Sequence, residues 1–203
     1  MQNVDKALAD IMDIRNQLAL GRMFRGFGPA VIAVTGLFAL LLMAAQLIWP
    51  QALASNPATL LGWWVFAAVM SIIFIGIEMF ALSRRHHGGL ADSMIINAVR
   101  TFLPVGATGA VIGIILLKSP LGLAWTLPGI WQLLIALGIF SSLNFLPKPI
   151  MVAALWYFLA GTAVLFLGSL SQNLSPWMMG IPFAIGQWIM ALILFKTLEA
   201  PRA

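Results

Sequence analysis

The sequence predicts an all-α membrane protein: a six-transmembrane-helix bundle with both termini cytoplasmic, an N-terminal interfacial amphipathic helix and a candidate three-hairpin repeat. Three observations carry this. The 203 residues are 62% hydrophobic and only 8% charged, whereas a soluble domain carries about 25% charged residues. Apolar stretches of the length that crosses a ~30 Å hydrocarbon core recur six times. The basic residues fall almost entirely on one side of those stretches. At this length one helical bundle is expected. It divides into a cytoplasmic amphipathic helix over 1–28, the bundle over 29–198 and a short cytoplasmic tail over 199–203.

Residues 1–28 are polar but periodic. Val4, Leu8, Ile11 and Leu18 recur at helical spacing, while Lys6, Asp10 and Asp13 fall mostly elsewhere on the wheel. This predicts a helix lying on the membrane surface or presented to a cytosolic partner. Three acids among these residues and the long apolar run that follows exclude a secretory signal peptide. The first span covers 27–49 and is followed by a polar connector from Pro50 to Pro57. The second covers 60–82 and carries Glu78 near its end. Gly88-Gly89 break the chain, and Asp92 or Ser93 is expected to cap the third span, 94–117. Lys118 to Leu127 connects to the fourth span, 127–146, which Pro147-Lys148-Pro149 end. The fifth covers 150–170. After a polar turn, the sixth covers 177–195.

Orientation follows from the cations. Lys6, Arg15, Arg22, Arg25, Arg84, Arg85, Arg100, Lys148, Lys196 and Arg202 share one side, and of the 11 basic residues only Lys118 lies on the other. Basic residues near span ends stay cytoplasmic. Trp49, Trp63, Trp64, Trp125, Trp131 and Trp177 fall at or near the opposite ends, as an aromatic belt would. The +5 charge is thus a topological signal and not one of nucleic-acid binding. With no cysteine, disulfides, thiolate metal sites and thiol nucleophiles are excluded.

Gln132-Leu-Leu-Ile-Ala-Leu-Gly-Ile-Phe140 in the fourth span matches Gln187-Trp-Ile-Met-Ala-Leu-Ile-Leu-Phe195 in the sixth. Hairpins related this way would share one orientation, as parallel repeats do in transporters.

Chemistry concentrates around 75–100. Glu78 is the carboxylate inside an apolar run, and an ionisable group within a span is by default a functional candidate. It has two readings: packing through a salt bridge to Arg84, Arg85 or Arg100, or a proton or cation site open to the cytoplasm. His86 and His87, beside Arg84 and Arg85, form a titratable juxtamembrane cluster suited to anionic lipid headgroups. Adjacent histidines do not converge as metal ligands, so no metal is expected. Gln46, Gln132 and Gln187 are read as interhelical hydrogen-bonding groups or as the lining of a small polar pocket. Gly106, Gly109 and Gly113, with Gly180, Ala184 and Gly186, mark close helix approaches. No protease, P-loop or dinucleotide-binding pattern is present.

The segments RNQLALGRMFRGFGP (15–29) and SRRHHGGLAD (83–92) resemble those of an uncharacterised family of small bacterial six-span integral membrane proteins. The resemblance covers the whole chain. It implies a bacterial inner-membrane setting and neither an activity nor site residues.

Three functions are compatible with these features. The first is a transporter- or permease-like protein for a small solute or ion. The second is a membrane-anchored regulator or scaffold docking a cytosolic partner through the N-terminal helix and the 83–100 loop. The third is a haem- or quinone-linked redox protein using His86 or His87. No enzyme assignment follows, and the cofactor is unknown. The expected partners are the bilayer, with anionic lipids at the cytoplasmic face, and a second copy of the chain.

Overall fold

The structure is a computed structural model and describes residues 28–87, 91–143 and 146–199. The predicted amphipathic helix and the last residues of the tail lie outside the described residues. Helices α1 (Pro29–Ile48), α3 (Pro57–His87), α4 (Ala91–Lys118), α5 (Leu127–Ser141), α6 (Met151–Ser171) and α7 (Trp177–Glu199) form the bundle, and α2 (Pro50–Leu53) is a single turn. Short 3₁₀ turns at Leu123–Thr126 and Lys148–Ile150 precede α5 and α6.

Proline and asparagine set most of the helix starts. Pro29 and Pro50 stand in the first turns of α1 and α2, and Pro128 does so in α5. There a missing N–H costs nothing, because that donor has no partner inside the helix. Asn56 caps α3, its Oδ1 accepting from the Thr59 N–H at 2.9 Å. Helix α6 ends where Gln172 turns left-handed (φ 52°) and its N–H returns to the Gly168 carbonyl at 2.6 Å.

The helices close into a ring. Helix α1 packs on α3, α3 on α4, α4 on α5, α5 on α6, α6 on α7, and α7 returns to α1. The broadest faces are α1 on α7 and α5 on α6. Neighbours run antiparallel: Trp188 Nε1 donates to the Ala33 carbonyl at 3.2 Å, while Gly180 faces Met43. Lipid tails are as apolar as leucine, so such faces are held by close packing and interhelical hydrogen bonds. The tightest crossing is between α5 and α6. A Cβ added at Gly161 would stand 2.9 Å from the Gly129 carbonyl oxygen. Two apolar clusters fill the ring. Ile32, Ile139, Tyr157 and Leu194 centre the one toward Glu78, and Leu42, Leu61, Leu127 and Met179 the other.

Among the described residues, five helical segments are long and apolar enough to cross a membrane: Pro29–Ile48, Pro57–Glu78, Leu123–Ser141, Lys148–Ser171 and Trp177–Thr197. Helix α4 carries a shorter apolar stretch, Phe102–Lys118. Large apolar side chains such as Val34, Leu41, Ile72, Phe74, Ile115, Leu159 and Phe166 are exposed around the ring. A surface of that kind suits lipid and not water.

Several sequence expectations shift. Asp92 and Ser93 follow Ala91 inside α4 and do not stand at its cap. The fourth span ends at Ser141 and not at 146, because the chain turns through Ser142, whose N–H bonds the Ile139 carbonyl at 3.0 Å. Trp64 is buried while Trp63 is exposed. Adjacent residues on a helix face different ways, and Trp64 points into the bundle and not toward the belt.

Candidate functional site

Glu78 stands in the last third of α3, and Gly28 at the amino end of α1. Antiparallel packing of α1 on α3 brings these ends together. Gly28 is the N-cap residue of α1, extended at φ −77° and ψ 122°, and has no side chain to cap the helix. The Glu78 carboxylate fills that place from the neighbouring helix, accepting a hydrogen bond from the Gly28 backbone N–H. A carboxylate at the positive end of a helix is electrostatically favoured. A Cβ at Gly28 would overlap the Glu78 carboxylate and oblige that end of the side chain to move away. Glu78 Oε2 is buried and has no hydrogen-bond partner among the described residues. One oxygen is therefore held and the other is idle.

The basic residues that sequence spacing placed around Glu78 are less informative. Arg100 is exposed on α4. The backbone of Arg84, Arg85, His86 and His87 continues α3, but their side chains lie outside the described residues.

The three glutamines are all inside the bundle and occupy separate places. Gln46 is 1% exposed and fully engaged. Its Nε2 donates to the carbonyls of Leu53 (3.2 Å) and Leu60 (3.0 Å), and its Oε1 accepts from Trp64 Nε1 at 2.9 Å. It ties α1, α2 and α3 together. Gln187, half-buried on α7, neighbours Tyr157, the only tyrosine of the chain and 0% exposed. The Tyr157 hydroxyl also reaches the Phe183 carbonyl at 3.4 Å.

Gln132 has the most specific role. Pro182 lies inside α7. It has no N–H, so the helix bond it would make to the carbonyl of residue 178 cannot form. Gln132, 0% exposed on α5, supplies the missing donor: its Nε2 bonds the Met178 carbonyl at 2.7 Å. Across the helix, Trp156 Nε1 donates to the Pro182 carbonyl at 2.9 Å. Neighbouring helices thus mend a proline break, which is how prolines are tolerated where water is absent. Gln132 Oε1 is buried without a hydrogen-bond partner among the described residues.

Sequence reasoning missed Gly28, Pro182, Met178 and the Gly129–Gly161 crossing. A proline inside an apolar run was the available signal for two of them, since it always orphans a carbonyl one turn earlier. Gly109 and Gly113 do not bring two backbones together. They make room for the Trp131 indole, whose Nε1 donates to the Gly109 carbonyl at 3.0 Å. No family model, curated protein or solved structure matches this chain.

Proposed function

We propose that the chain is a six-span bacterial inner-membrane protein, permease-like, in which Glu78 is a proton- or cation-exchanging group at the cytoplasmic mouth of the bundle. The observation that carries this is the half-engaged carboxylate, with one oxygen on the Gly28 N–H and the other buried without a partner among the described residues. A carboxylate near the hydrocarbon edge is costly to keep. An idle buried oxygen adds to the cost, and taking up a proton or a cation relieves it.

Helix α4 serves as the remaining span. Its 28 residues reach about 42 Å at the helical rise, enough to cross. Ten of the eleven basic residues then face the cytoplasm with both termini, where they meet anionic lipid. Gln132, matched with Gln187 in the hairpin repeat, bonds inward to a neighbouring helix.

The test is proton flux. Purified protein is placed in vesicles holding a pH-sensitive dye, and a potassium diffusion potential is imposed with valinomycin. Wild-type vesicles should acidify faster than protein-free vesicles, and Glu78→Gln should remove the difference. Equal flux in the two proteins, or wild-type flux no greater than that of empty vesicles, sinks the proposal.

A further inference from the structure

The hydrogen bond from Gln132 does more than mend a helix. It is placed at the boundary of a segment with a pivot at each end. Residues 172–181 join α6 to the body of α7. At one end Gln172 holds a left-handed conformation (φ 52°), where the chain reverses. At the other, Pro182 interrupts the backbone ladder, so 177–181 are coupled to the rest of α7 by one hydrogen bond fewer than a regular helix would have.

The segment seats itself by apolar contact. Met178 and Met179 are each 3% exposed, and Leu174 packs against the cluster of Leu61, Trp64 and Leu127. Gly180 lies so close to α1 that a Cβ there would come 2.6 Å from the Met43 Cβ. Methionine side chains are unbranched and adaptable, suited to a plug that seats and reseats. The polar tie from 172–181 to α5 is the 2.7 Å bond from Gln132 Nε2 to the Met178 carbonyl. The same amide keeps an unpartnered oxygen buried beneath the segment.

We propose that residues 172–181 form a lid at the end of the bundle opposite Glu78, hinged at Pro182 and latched by Gln132. Raising the lid frees the whole Gln132 amide, donors and acceptor together. That is the complement of a small neutral solute carrying both a hydrogen-bond donor and an acceptor. The lid's purpose rests on the permease proposal, but the latch is testable with no measurement of flux.

The chain has no cysteine, so single cysteines can be read cleanly. Met178→Cys reports the lid, and Ala154→Cys, at a 0% exposed position on α6, reports general loosening. Both are labelled with a membrane-impermeant maleimide in the full-length, membrane-embedded protein. Losing one buried hydrogen bond should raise the open population roughly three- to tenfold. Gln132→Leu should therefore speed labelling at 178 by that factor and leave 154 unreactive. Adding Pro182→Ala restores an N–H one turn from the Met178 carbonyl and should return the rate to near its starting value. The lid is refuted if Gln132→Leu leaves the rate at 178 unchanged, if labelling at 154 rises in step, or if Pro182→Ala fails to reverse the effect. Labelling that follows this pattern in a protein without proton flux would keep the lid and discard the permease.

Discussion

Gly161→Ala should destabilise the bundle, although alanine is the better helix former. A Cβ at 161 would meet the Gly129 carbonyl oxygen at 2.9 Å, the Gln132 Cβ at 3.0 Å and the Leu133 nitrogen at 3.1 Å. Ordinary contact between such atoms is ~3.5 Å or more. Two of the three neighbours are backbone, so no side-chain rotation relieves the overlap. Helices α5 and α6 must separate by about half an ångström, and the contacts on either side of the crossing are loosened with them. Overpacking of this kind costs ~1–3 kcal/mol, against ~1 kcal/mol gained in helix propensity. The expected net loss is about 0–2 kcal/mol. Gly76→Ala is the reference, because nothing among the described residues lies within 4 Å of a Cβ there. It should be neutral or stabilising by up to ~1 kcal/mol. The assay is reversible unfolding by SDS in mixed micelles, followed by circular dichroism. If the two variants unfold at the same SDS fraction, the close crossing does not exist as described. The variant also presses on Gln132, so in the maleimide assay it should speed labelling at position 178.

Two further outcomes follow from the polar contacts. Gln46→Leu leaves the Trp64 indole N–H and the carbonyls of Leu53 and Leu60 without their partner. At ~0.6 kcal/mol for an average hydrogen bond between membrane helices, it should cost about 2 kcal/mol in the SDS titration, and a loss below a few tenths would contradict the network. Gly28→Ala should displace the Glu78 carboxylate and reproduce the flux defect of Glu78→Gln, with the double variant no worse than either single one; additive defects would separate the two residues.

How much of this was legible in the sequence depends on the distance over which each signal acts. Helix positions are written locally. Runs such as 29–48, the prolines at 29, 50 and 57, and the polar residues between spans marked the helices to within a few residues. Glu78 and the glutamines stood out because a polar group in an apolar run is costly wherever the run folds. Their partners were not legible. Glu78 meets Gly28 only because α1 and α3 lie antiparallel in register, and spacing along one helix pointed instead to arginines. Gln132 answers a proline 50 residues later, and neither residue alone announces the other. The Gly129–Gly161 crossing was invisible for a related reason. In a chain with 18 glycines, composition does not say which pair will meet.

Closure of the ring by α1 and α7 has a bearing on how the protein is made. The ribosome must add residues 49–188 after α1 is complete before the face that includes Gly36 can meet Trp188. At ~5–20 residues per second that interval is on the order of ten seconds. Until α7 arrives, lipid or an insertion factor must occupy the flank of α1 that α7 later covers. Nascent chains arrested before Trp177 should therefore be far more open to proteolysis than chains extended past Glu199, since α7 supplies one of the two broadest packing faces of the ring.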